Sequence, residues 1–357
     1  MSAKAGRRIR PGSEKGLVEL LIGLSLLVFL AVFPVFSFDY WVSFILTQTF
    51  LVGIAAASLI FLTAYGNMVS LAQTALYGIA AFALGNMVTK GAVKGLHLGW
   101  DPWLSVVAAI AITTAIGFVF GAVASRSTGI YFLMITLTYA VIAFTFFGQV
   151  TQVSGFSGIA GIQDRTPGLV GDPVSQPNRL YYIALVVALL VYLAIRYVVR
   201  TPFGISLQGT RDEPLRMASL GYNVPLHRTL AFTFAAFIAS LAGVLYGWWN
   251  GVIAPDNVGL GATVDLLIVA VIGGLGRVEG AWLGAFAFIV INNYVRDVSL
   301  PLVGGSFNTV IGLIFLAIVI ISPGGLMGLW DRLWGLARDR GSSGQHAPAV
   351  GAAGPQA

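Results

Sequence analysis

The sequence contains no cysteine and only three histidines, and Lys, Arg, Asp and Glu together make up 10% of its 357 residues. Without cysteine there can be no disulfide, thiol nucleophile or thiolate metal site. His97, His227 and His346 lie far apart in the chain and suggest no metal cluster. Charge this scarce cannot dilute the surface of a soluble protein, whose folded exterior is already about half apolar. No Gly-Lys pair occurs, so a P-loop is excluded. Neither a G-x-S-x-G elbow, an H-E-x-x-H pair nor paired carboxylates within an apolar run is present, which leaves no arrangement for catalysis. The net charge of +6 falls at the ends of apolar runs and is not interleaved with aromatics, which argues against nucleic acid as a partner.

What is present is hydrophobicity: 57% of the residues are apolar and the mean hydropathy is +0.87. About 20 apolar residues cross a bilayer as a helix. Six runs meet that length clearly: 17–36, 41–65, 103–124, 129–148, 180–199 and 226–249. The run 68–89 is long enough for a seventh span, or for a re-entrant segment, and is polar near its start. Two shorter runs, 262–275 and 280–295, are joined through a Gly-rich turn, and 306–322 is the last. The expected fold is therefore an all-α polytopic membrane protein of about eight to ten helices, with short Gly-interrupted segments. The first run follows a basic flank like that of a secretory signal. It is longer than the usual signal core and no A-x-A site follows, so a retained span is expected.

Lys and Arg set the orientation. With the N-terminus inside and ten crossings, 15 of the 20 basic residues fall inside, from Lys4 to Arg340, and Lys90, Lys94, Arg165, Arg179 and Arg296 fall outside. Three regions follow: a basic cytoplasmic tail over 1–16, a transmembrane domain over 17–330, and a cytoplasmic, mostly disordered tail over 331–357. No period of 20–50 residues marks a repeat architecture.

The longest internal loop, 200–226, contains RDEPLRMASLG, with four charged side chains in the eleven residues 211–221. Thr210 or Asp212 is placed to cap a short helix, Pro214 suits its first turn, and Gly221 its left-handed end. Leu215, Met217, Ala218 and Leu220 give it a partly apolar face. Two turns are too short to stand alone in water, so such a helix needs a groove to lie in.

Other features divide between function and packing. Asn67, Ser70, Thr74 and Tyr77 recur at helical spacing, and lipid cannot satisfy such a polar stripe, so it must face either a pathway or a neighbouring helix. Asp265 is an ionisable group in or near a span, a position that is costly unless functional or near interfacial water. Glu19, one turn into the first run, reads as a snorkelling residue. Thr136, Thr138 and Tyr139 are as ambiguous as the stripe. Gly117 with Gly121, Gly247 with Gly251, and Gly276 with Gly280 and Gly284, have the spacing that lets helices approach closely in lipid.

The stretch 200–247, RTPFGISLQGTRDEPLRMASLGYNVPLHRTLAFTFAAFIASLAGVLYG, resembles the signature region of the permease subunits of branched-chain amino acid ABC transporters, the LivM type. GNMVSLAQTALYGIAAF (66–82), RSTGIYFLMITLTYA (126–140), SGFSGIAGI (154–162) and VDLLIVAVIGGLGRVEGAWLGA (264–285) extend the resemblance over about 40–325. Pro214, Arg216 and Met217 depart from the family's usual ERAAEALG, and Asp265 stands where the family commonly has Glu.

The resemblance implies one permease half of an importer in the bacterial inner membrane, with no activity of its own as an enzyme. It implies a second permease, two cytoplasmic ATPases that bind ATP and Mg, and an extracytoplasmic solute-binding protein; this chain would bind no cofactor. It assigns coupling to the ATPase to Arg211, Asp212, Glu213, Leu215, Met217, Leu220 and Gly221. A same-family permease for urea or short amides shares these features. An ion-coupled secondary transporter would need intramembrane charges, of which only Asp265 and Glu19 are available.

Overall fold

The computed structural model describes residues 41–90, 95–168 and 175–302, together with 25, 28–34, 170, 171, 173, 312, 313, 316, 320 and 324–328. Both tails, Glu19, most of the run 17–36 and most of the run 306–322 lie outside the described residues.

The first long helix, α1 (Thr47–Gly66), is entered through a π-helical stretch, Trp41–Leu46, and closed by Asn67 in the left-handed conformation. In lipid no water serves stray donors, so the hydroxyls of Thr47 and Thr49 donate back to the carbonyls of Val42 and Ile45, each at 2.7 Å. Among the described residues, five helices are long and apolar enough to cross a membrane: Phe44–Gly66, α3 (Pro102–Ala124), α4 (Ile130–Gln149), α5 (Pro177–Arg200) and α8 (Val224–Asn250). They correspond to five of the six clear apolar runs. Between α5 and α8 lie two short helices, α6 (Pro202–Asp212) and α7 (Pro214–Ser219). After α8 come α9 (Leu260–Gly273) and α10 (Gly280–Leu302).

The run 68–89 does not form a full span. Its helix, α2 (Gln73–Val88), has 16 residues, about 24 Å, and the six residues before it form a non-helical bend. Ser70 and Gln73, in and beside that bend, hydrogen-bond with neighbouring groups. Fourteen of its residues are buried, which places α2 at the centre of the bundle.

The bundle has two ends. At one, α1, α3, α5 and α9 finish and α4, α8 and α10 begin, as shown by contacts of Arg211 with Ala64, Ser125 with Thr229, and Arg196 with Glu279. This is the hairpin end. At the other, β1 (Ile159–Ala160) pairs antiparallel with β2 (Val252–Ile253), with Ile159 opposite Ile253. This is the sheet end.

Packing of α3 follows the rule for lipid, with small residues inside and large apolar ones outside. The buried positions of α3 are Ser105, Ala109, Thr113, Gly117, Gly121 and Ala124, a stripe of small side chains about one turn apart. Val107, Val119 and Val123 on its other faces are exposed. A Cβ on Gly117 would lie 2.2 Å from the Cβ of Ala236, and one on Gly121 3.0 Å from the Cβ of Phe232, both on α8. Gly280 and Gly284 seat α10 against Gly273 and Val269 of α9, where any side chain would meet backbone. Gly276, expected in that seam, is exposed in the turn, and a Cβ there would meet no neighbour among the described residues. Gly273 takes the place assigned to it. Gly251 closes α8 in the left-handed region, with φ of 69°.

Candidate functional site

The loop between α5 and α8 folds as a helical hairpin. Thr201 accepts a hydrogen bond from the Gly204 N–H at 3.4 Å, and Pro202 occupies the first helical position of α6. Gly204 fits directly against the end of α5, where a Cβ would lie 2.3 Å from the Val198 carbonyl oxygen. The TPFG stretch is thus a corner whose cap, starter and small residue each have a local cause.

The expected helix start is corrected by one element. Thr210, Arg211 and Asp212 are the last turn of α6, not the cap of a new helix. The chain breaks at Glu213, and Pro214 then opens α7. A residue ahead of proline is driven out of the helical region, so the break falls where the sequence dictates. At the far end Gly221 takes φ of 89°, with its N–H bonded to the Ala218 carbonyl and that of Tyr222 to Met217, the Schellman pattern.

No residue of α7 is buried. Leu215 is 83% exposed and the following Leu220 66%. Met217 alone turns inward, against Gly209 of α6. Arg211 also faces the bundle: its Nη1 donates to the Ala64 carbonyl at 2.6 Å, near the end of α1, and its Nε to Asp212 at 2.7 Å. That hydrogen bond holds the Asp212 carboxyl below the usual carboxylate range. Of the seven residues assigned to coupling, Arg211 and Met217 therefore anchor the hairpin. Glu213, Leu215, Leu220 and Gly221 face outward with Asp212.

The polar stripe does not lie on one helix. Asn67 caps α1 and is exposed, whereas Thr74 and Tyr77 lie on α2 and Ser70 in the bend between them. The residues fall into two groups. In the first, the Ser58 hydroxyl on α1 donates to Gln73 at 3.0 Å, Gln73 donates to Ser70 at 3.5 Å, and Ser70 accepts from the Ala72 N–H at 3.3 Å. Thr136 of α4 accepts from the Leu71 N–H at 3.1 Å. In the second group the Tyr77 ring lies 5.1 Å from that of Tyr246 on α8, whose hydroxyl accepts from Asn257 at 2.8 Å. The Thr74 hydroxyl is buried and has no hydrogen-bond partner among the described residues.

Thr138 bonds back to Met134 on an exposed face, and Tyr139 donates to the Phe120 carbonyl at 3.2 Å. Asp265 lies on an exposed face of α9. α9 begins recessed below the sheet end: Gly259 lies against Phe144, and Gly78 of α2 against Val258.

Sequence reasoning missed several residues. Ser58 is hidden within the apolar run 41–65, and Gln73 falls off the helical spacing of the stripe and meets Ser58 and Ser70 only through the bend. α2 and α8 approach closely at Gly243, where a Cβ would lie 2.0 Å from the Tyr77 carbonyl oxygen. Glu279, beside the glycines of the α9–α10 turn, accepts from the Tyr192 hydroxyl at 2.9 Å and pairs with Arg196 at 3.4 Å. Among the described residues, no group of three or more His, Asp or Glu is placed to hold a metal ion.

Long apolar helices packed through small residues, with an exposed hairpin at one end, define a multi-pass α-helical membrane protein. The chain belongs to the family described as branched-chain amino acid transport system / permease component, which matches residues 41–322. It is 24% identical over 318 residues to the high-affinity branched-chain amino acid transport system permease protein LivM of Escherichia coli K12, covering 83% of this chain and 73% of that protein. It is 25% identical over 270 residues to BraD of Pseudomonas aeruginosa, a permease protein of the same description, covering 73% of this chain and 86% of that protein. LivH of Escherichia coli K12 is 33% identical over 118 residues, 32% of this chain and 37% of that protein. No solved structure matches the chain.

Proposed function

We propose that this chain is one permease half of an ATP-driven importer for branched-chain or related hydrophobic amino acids, seated in the bacterial inner membrane with both termini cytoplasmic. It works with a second permease, two ATPases that bind ATP and Mg, and an extracytoplasmic binding protein that delivers the solute. The observation that carries this reading is the hairpin. α7 presents Leu215 and Leu220 to solvent, while Arg211, Met217 and the Thr201 corner fix it to the bundle. A short apolar face held rigidly and left uncovered is a docking element for a grooved partner. Arg126, Arg200, Arg211, Arg216, Arg228 and Arg277 belong to the same end, which by the positive-inside rule is cytoplasmic.

The pathway runs between the two permeases. The Ser58–Gln73–Ser70 group, Thr74, Tyr77 and Asp265 are its candidate polar contacts. Asn67, at the exposed end of α1, belongs to its hairpin-end mouth. The named substrates of LivM and BraD support amino acids as the cargo. The test is uptake by proteoliposomes containing both permeases, the ATPases and the binding protein. Leucine uptake that requires ATP is the expected outcome. Uptake by this chain alone without nucleotide, or urea uptake with no leucine uptake, overturns the reading.

A further inference from the structure

α6 and α7 hang from the end of α5 through the tight corner at Gly204. Two to three turns before that corner, α5 is joined to a distant part of the chain. The Tyr192 hydroxyl donates to Glu279 at 2.9 Å, Arg196 pairs with the same carboxylate oxygen at 3.4 Å, and the Arg196 guanidinium lies 5.6 Å from the Tyr192 ring centre. Glu279 lies in the turn joining α9 to α10. That turn is itself rigid: Gly273 and Gly280 meet backbone to backbone, and Gly274 lies against Gly324 and Gly325. Trp282, three residues beyond Glu279, stacks edge-on to Tyr192 at 6.0 Å and covers Gly53 of α1.

We propose that Glu279 is a positioning residue for transport, making the end of α5 and the α9–α10 turn move as one body. A displacement of the hairpin then reaches α9, the recessed helix that carries Asp265. The inference rests on the ATP-driven reading above. An ion pair with both partners partly exposed contributes little to stability, so holding the fold together is a weak reason for this arrangement. What it supplies is direction. Two members sit on successive turns of α5 and one on the α9–α10 turn, so movement at either element pulls the other. Coupling claimed across a structure needs a measured coupling, and this network is small enough to measure.

The experiment uses the full complex in proteoliposomes, reading leucine uptake and ATP hydrolysis together. Glu279→Ala should lower the solute moved per ATP by about tenfold while hydrolysis stimulated by the binding protein persists. The swap Arg196→Glu with Glu279→Arg should recover most of that ratio; a merely structural role would change the yield of folded complex and leave the ratio alone. Glu279→Ala with an unchanged ratio, or a swap no better than Glu279→Ala, overturns the proposal. If Glu279→Ala reduces the amount of folded complex, Tyr192→Phe, which removes only the 2.9 Å hydrogen bond, must still lower the ratio; an unchanged ratio there also overturns it. Wild-type complex without ATP-dependent uptake would instead overturn the importer reading, so the two failures are distinct.

Discussion

Thr136 illustrates how a single polar side chain serves the backbone in this protein. Its hydroxyl accepts from the Leu71 N–H in the bend before α2 and donates to the Leu133 carbonyl at 2.9 Å. The bend has left the helical ladder, and little water is available to replace the ladder bond. Thr136→Val should destabilise the protein by about 1–3 kcal/mol, since it strands a partly buried donor. Thr136→Ser should restore most of that loss. Thermal unfolding in detergent distinguishes them, and equal midpoints for Val and wild type would contradict the assignment. The same accounting explains Ser58 and Gln73, which satisfy one another across α1 and α2.

At the scale of the element, α7 is the informative piece. Its boundaries follow from Glu213 ahead of proline and from Gly221 in the left-handed region, and its exposure follows from the hairpin, which turns only Met217 inward. Replacing Leu215 and Leu220 together with Asp should abolish association with the ATPase while leaving membrane insertion unchanged, because neither side chain has a packing role in the bundle. Pull-down of the ATPase at undiminished yield would refute the docking assignment. α2 and α9 are the complementary case. Both are shorter than a span, at 16 and 14 residues, and α9 begins recessed. Such interrupted segments are tolerated only where protein covers the free backbone, and α2 is buried on nearly every face.

At the scale of the molecule, the alternation of ends gives a testable topology. The hairpin lies with the finish of α1, α3 and α5, and the β1–β2 pair lies opposite. Because the chain has no cysteine, a single Glu213→Cys substitution provides a clean label. Impermeant maleimide should modify it in inverted vesicles and not in intact cells. Labelling from outside the cell would reverse the topology and with it the docking of a cytoplasmic ATPase.

The sequence by itself determined that lipid is the solvent, where five of the long helices lie, and that the loop after α5 carries a short helix opened by Pro214 and closed by Gly221. These follow from local causes: hydropathy over about 20 residues, proline's missing N–H, and glycine's access to positive φ. It also indicated close packing at Gly117, Gly121, Gly280 and Gly284. Tertiary structure alone decided the rest. It broke the polar stripe at the bend of 67–72, turned Arg211 and Met217 inward, left Gly276 outside the seam, and brought Glu279 to Tyr192 and Arg196, 87 residues away from Tyr192 in the chain. Each of these depends on which helix faces which, and helical spacing along one segment carries no information about its neighbour.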